Sequence, residues 1–189
     1  MEPKPLFAKV LQQASGTVRM VQQDMLNNPT PCSEWKLKDL LNHMVNELLW
    51  APEIIKGKTT EQVGDRYDKE LLGSDPQYAW KHAADAALVA VHSMEGDSIA
   101  HLSYGDIKVG AYVQELAADL YIHAWDVGQS LNFTILFDPQ VAETLYESSL
   151  PKFEQMTKSE LFGAPKIVQS SDLQAKLLAL FGRHAYQPE

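Results

Sequence analysis

The stretch ELAADLYIHAWDV, Glu115 to Val127, sets two ionisable side chains where a core should be. On a helix, residues at i, i+3, i+4 and i+7 share a face. Leu116, Leu120 and Val127 mark an apolar stripe, and Asp119 and His123 fall on it four residues apart. A carboxylate is costly to bury unless it is paired or bound to a cation. The i, i+4 spacing also puts two ligands on one side of a metal, and both residue types suit zinc and similar first-row ions. The plain alternative is a buried Asp–His hydrogen bond that fixes the imidazole tautomer. This segment alone leaves both readings open.

His43 follows Leu40 by three and precedes Glu47 by four, at the edge of an apolar face. Alone it reads as a boundary histidine. In a bundle, inward side chains of facing helices build metal sites, and His43 can then stand opposite His123. His92, four after Leu88, is the reserve ligand; His82 reads as solvated, and His101 and His184 fall outside the strong patterns. Asp126, three after His123, is either a partner of that imidazole or an exposed acid. Trp35 reads as a core or staple aromatic, and Trp125 points away from the Asp119–His123 face. Cys32 precedes a helix start, but a nucleophilic cysteine wants a base beside it, and the sequence supplies none.

The elements that must position these residues are helical. Leu6, Val10, Leu11, Ala14, Val18, Val21 and Met25 predict a helix from Pro5 to Leu26, broken by Asn27, Asn28, Pro29 and Pro31. Leu37 to Leu49 supply a broad apolar face for a second helix, Lys36 to Ile55, with Gly57 as its stop. Gly57 to Ser74 reads as a surface connection, open to a lid role. Asp75-Pro76 starts a third helix ending near Met94. Gly96 to Gly110 suits a small hairpin or an extended crossover, and Ala111 to Leu131 a fourth helix. Asp138-Pro139 starts a shorter helix ending near Pro151, and Lys152 to Glu160 a further short one. Ser171 and Gln174 form a capping box for a last helix that Gly182 ends. The expected fold is all-α: one domain over 1–189, a four-helix bundle over about 5–131, and a short helical C-terminal appendage over about 138–182.

Composition narrows the partners. The 189 residues carry 16 basic and 25 acidic side chains, a net charge of -9, and the only arginines are Arg19, Arg66 and Arg183. A nucleic-acid binder needs clustered cations, and none are clustered here. One cysteine excludes an intramolecular disulfide and a cysteine-rich zinc site. Met1 to Gln12 lacks a signal-peptide core, and no apolar run reaches membrane-spanning length. The expectation is a cytoplasmic protein that binds neither nucleic acid nor membrane.

PTPCSEWKLKDLLNHMV (residues 29–45) and DLYIHAWDVGQSL (residues 119–131) resemble the two signature stretches of the DinB/YfiT-like superfamily. They are most similar to the branch related to the metal-binding domain of mycothiol-dependent maleylpyruvate isomerase. LFGAPKIVQSSDLQAKLLALFGRH (residues 161–184) resembles the same branch. The resemblance implies a four-helix bundle with one divalent metal ion on His43, Asp119 and His123. It further implies a low-molecular-weight thiol such as mycothiol as co-substrate. Two departures stand out: Lys36 replaces the usual Ser or Thr, and the C-terminal stretch is shorter than the further domain of the isomerase.

Three protein ligands leave a coordination position open, as at catalytic metals. The expected activity is thiol-dependent transfer or isomerisation on a small organic electrophile. A metal-dependent hydrolase and a non-catalytic metal-binding or stress-response module are the alternatives. Zinc is the first candidate metal, with nickel, iron and manganese also compatible, and a homodimer is compatible with the sequence.

Overall fold

A computed structural model describes residues 1–152 and 170–184. Four long helices make a bundle: α1 (Pro3–Val18), α2 (Leu37–Ile55), α4 (Pro76–Ser93) and α5 (Val109–Ser130), with a single-turn α3 (Thr60–Val63) after α2. α1 packs on α5 and α4, and α2 packs on α4 and α5. The all-α, four-helix expectation holds. A two-stranded hairpin, β1 (Ile99–Leu102) and β2 (Gly105–Lys108), joins α4 to α5. Its antiparallel register pairs Ala100 with Ile107 and Leu102 with Gly105. Gly105, at φ 132, takes a conformation open to glycine where the two-residue turn closes.

The first helix is shorter than its apolar spacing predicts. It ends at Val18, and a 3-10 turn over Gln23–Asn27 replaces its last third. Gly16, Thr17 and Val18 are weak helix formers in succession. The amides of Met20 and Val21 bond back only three residues, to Thr17 and Val18. Val21 is still buried, so an irregular segment supplies an apolar contact that the spacing credited to a helix.

α2 begins at Leu37, with Lys36 as its cap. The lysine side chain offers no acceptor, and Asp39 repairs the start by accepting the Lys36 amide at 3.0 Å. Leu37, Leu40, Leu41, Met44 and Leu48 fill the core from this helix. The connection after α2 is pinned rather than free. Asn42 donates to the Lys69 carbonyl at 3.1 Å and accepts the Leu71 amide at 2.7 Å, and Asn46 donates to the Tyr67 carbonyl at 2.9 Å. Asp75 caps α4 as its sequence predicts, accepting the Tyr78 amide at 3.0 Å.

Glu2 to Thr134 form one compact unit; Met1 groups with the chain from Ile135 onward in a second. The second unit contains α6 (Pro139–Ser149), a 3-10 turn at Leu150–Lys152, and α7 (Leu173–Leu180). The helix expected over Lys152 to Glu160 falls almost wholly outside the described residues. The cap of α7 is Asp172, not Ser171: Asp172 accepts the Gln174 amide at 3.0 Å. Gln174 has other work, accepting the Phe137 amide and donating to the Ile135 carbonyl.

Candidate metal centre

α5 is buried without interruption from Leu120 to Gly128, so it lies inside the bundle rather than on its surface. His123 is therefore buried, and Asp119 stands one turn earlier at the edge of the buried stretch. α2 faces it with His43 in its second turn. The structure brings together all three residues singled out in the sequence. His43 Nε2 lies 3.6 Å from Asp119 Oδ2, and His123 Nε2 lies 3.4 Å from Asp119 Oδ1. One ligand atom from each residue falls within 4.8 Å of the others.

These separations are long for hydrogen bonds. They match the edge of a tetrahedron around zinc, where bonds of about 2.0–2.1 Å place ligand atoms roughly 3.4 Å apart. Asp119 Oδ2 is buried and makes no hydrogen bond. A buried carboxylate oxygen without a donor calls for a cation. The donor set of two imidazoles and a carboxylate thus fits a divalent first-row ion.

Asp126 resolves as a partner, not an exposed acid. It is fully buried, and its Oδ2 lies 3.0 Å from His123 Nδ1. The contact lets Nδ1 carry the proton and turns Nε2 toward His43 and Asp119, as carboxylates behind metal-bound histidines do. Cys32 Sγ donates to the same Asp126 oxygen at 3.4 Å. Cys32, His123 and Asp126 also form a second group with ligand-like spacing, which shares its imidazole with the first.

The loop before α2 covers the site. Trp35 N–H donates to the Cys32 carbonyl, and Thr30 Oγ1 accepts the Cys32 amide and reaches the Trp35 carbonyl at 2.8 Å. Asn28 ties the loop to the end of α5 through the Ser130 carbonyl at 2.9 Å. Trp35 is then half-buried over the imidazoles, its ring 4.9 Å from His43 and 6.0 Å from His123. It is a wall of the site rather than the core aromatic its type suggested. Trp125, two residues past His123 on α5, is buried.

His92 does not serve as a reserve ligand. Leu88, the residue that suggested an inward face, is itself exposed, and His92 lies in solvent with Lys4 Nζ on its carbonyl. His82 is exposed beside Tyr78, and His101 pairs with Asp106 across the hairpin. Glu47 is the residue that sequence reading passed over. It stands one turn beyond His43, and the i+4 relation was the signal available.

Electrostatics couple these groups. Burial opposes a charge on His123, yet Asp119, then Asp126 and Cys32, hold the imidazole well above its ordinary value. Burial raises Asp119, but His123 and His43 outweigh it and hold the carboxyl below the usual range. Burial, then the nearby Asp119 charge, lifts Glu47 to about 7 against the opposing pull of His43 and His123.

The family described as the mycothiol maleylpyruvate isomerase N-terminal domain matches residues 7–128, which contain every residue of this site. The chain belongs to that family. Two uncharacterized proteins from Mycobacterium tuberculosis strains are each 26% identical to it over 148 residues, 75% of this chain and 74% of the relative. The crystal structure of a mutant mycothiol-dependent maleylpyruvate isomerase superposes with a TM-score of 0.67 at 11% identity. It covers 87% of this chain and 72% of its own, and shows a shared fold. Among the described residues no helix is long and apolar enough to cross a membrane.

Proposed function

We propose that this member of the mycothiol maleylpyruvate isomerase N-terminal domain family binds one divalent metal ion, zinc first among the candidates, through His43, Asp119 and His123. We read it as a thiol-dependent transferase or isomerase that joins a low-molecular-weight, mycothiol-like thiol to a small organic electrophile in the cytoplasm. The observation that carries the reading is the convergence of His43 Nε2, His123 Nε2 and the hydrogen-bond-free Asp119 Oδ2. The family supports the thiol, through the mycothiol in its description. When bound, such an ion lowers the pKa of a ligated thiol or water and supplies a nucleophile near neutral pH.

The chain's own residues do the rest. Asp126 keeps the His123 proton on Nδ1 and so keeps Nε2 available. Trp35 shields the imidazoles from water on one side. All three proposed ligands come from one chain, so the site needs no second copy. Glu47, one turn past His43 on the same helix, is the carboxylate that the hydrolytic alternative would use as base for a water nucleophile.

Elemental analysis of purified protein tests the first step, with about one metal per chain expected and loss in His123→Ala. Turnover of small electrophiles with and without added thiol tests the second. Loss of an electrophile only when thiol is present supports transfer; loss without thiol supports hydrolysis and overturns the thiol reading.

A further inference from the structure

One imidazole serves two groups of ligand-type side chains. His123 Nε2 faces Asp119 Oδ1 at 3.4 Å, and His123 Nδ1 faces Asp126 Oδ2 at 3.0 Å. His43 and Asp119 complete the first group. Cys32 and Asp126 complete the second, in which one ligand atom of each residue lies within 4.8 Å of the others. His123 and Asp126 are buried, and Cys32, half-buried on the loop before α2, is the most exposed member. Backbone contacts hold that loop. Thr30 Oγ1 accepts the Cys32 amide at 3.1 Å, and the Cys32 carbonyl accepts the Trp35 amide at 2.9 Å. Sγ then lies 3.4 Å from Asp126 Oδ2.

That separation suits a thiol donating to a carboxylate, and equally one edge of a tetrahedral metal centre. Bonds of about 2.3 Å to sulfur and 2.0 Å to oxygen put those two atoms roughly 3.5 Å apart. The nitrogen–oxygen edge is roughly 3.3 Å, which the 3.0 Å contact reaches by a shift of about 0.3 Å. The charges fit as well. A thiol is a weak donor. As thiolate, Cys32 joins the Asp126 carboxylate in neutralising a divalent ion inside the protein. The imidazole enters as a neutral ligand through Nδ1 with its remaining proton on Nε2, and the displaced ligand protons leave for solvent.

We propose that Cys32 Sγ, His123 Nδ1 and Asp126 Oδ2 form a second metal site, separate from the first, for a soft, thiophilic divalent ion of the zinc and cadmium class. A thiolate ligand selects such ions over magnesium, calcium or manganese. The site goes beyond the reading above and needs no metal on His43 and Asp119. An ion on Nδ1 leaves the ring proton on Nε2, so filling this site withdraws a ligand from the first.

Cadmium titration of the metal-free full chain, followed by the thiolate-to-cadmium charge-transfer band in the ultraviolet, tests this. Cys32 is the only cysteine, so the band reports this sulfur alone, and cadmium on His43 and Asp119 is silent. The expected result is a saturable band in the parent protein. His43→Ala, which removes a ligand of the first site only, should keep the band at no higher cadmium concentration. Asp126→Asn and His123→Asn should each raise its midpoint by at least about tenfold, since losing a ligand costs no less than losing an outer partner. No band in the parent protein, a band lost in His43→Ala, or a midpoint that either of the other substitutions leaves in place each overturn the proposal. An unmoved midpoint means a thiol binding alone. If Asp126→Asn or His123→Asn loses its helical circular dichroism, X-ray absorption at the cadmium edge of the His43→Ala protein decides. Sulfur together with imidazole scattering is the expected signature, and sulfur without imidazole overturns the site.

Discussion

Asp126 touches no proposed open position, yet it governs His123 through a 3.0 Å contact inside the protein. Asp126→Asn keeps the shape and turns a pure acceptor into a group that can present N–H to Nδ1. Metal affinity should fall by about 10–100-fold, measured by competition with a chelating dye, with unchanged far-ultraviolet circular dichroism. Glu47 bears on the stability of the metal-free fold. Its folded carboxyl titrates near 7 against an ordinary 4.5. A raised carboxyl pKa means that the cost is absent below 4.5, grows as pH rises, and is complete above 7. Glu47→Gln should therefore stabilise the metal-free protein by about 2 kcal/mol at pH 8, allowing for its partial contact with water, and hardly at all at pH 4. Urea denaturation at both pH values, with chelator present, checks the sign; equal effects at the two would contradict it.

Element starts and stops follow local chemistry more than apolar spacing. Asp75 carries the start of α4, accepting the Tyr78 amide at 3.0 Å. Asp75→Ala should cost about 1 kcal/mol in chemical denaturation. Leu48, fully buried on α2 one residue past Glu47, belongs to the packing that holds the ligand helix in place. Leu48→Ala should cost about 2–5 kcal/mol by the same measurement, because it leaves a cavity as well as losing buried methyl groups. Helix ends were less legible than helix existence. The Asp-Pro pairs placed α4 and α6 correctly, since an acceptor side chain and a fixed φ act within one turn. The end of α1 was misjudged because Val21 stays buried after the helix has stopped, and a buried residue looks alike on a helix or a turn.

Across the molecule, the proposed ligands tie α2 to α5, elements separated by the whole of α3, α4 and the hairpin. A ligand that binds only the folded chain stabilises it by mass action. Chelation should therefore lower the melting temperature, and restored metal should raise it again. Free metal at about a thousand times the dissociation constant corresponds to roughly 4 kcal/mol. A melting curve indifferent to chelator and to added zinc, cobalt or nickel would count against the centre. The net charge of -9 adds a whole-molecule constraint of its own, since it disfavours polyanionic partners at any site.

By itself the sequence determined the helical class and the core faces of α2 and α5, and its spacing singled out Asp119 and His123, to which the family resemblance joined His43. Those features repeat at the period of a helix, or sit as ionisable groups inside an apolar pattern, so local spacing exposes them. Tertiary structure alone decided that Asp126 lies behind His123, that Trp35 and Cys32 fold over the site, and that His92 faces solvent. Each of these depends on which surface of a helix meets another helix or loop, a relation between distant segments that no local spacing encodes. α5 shows why: buried on nearly every side, it lacks a polar face to say which of its residues look at α2.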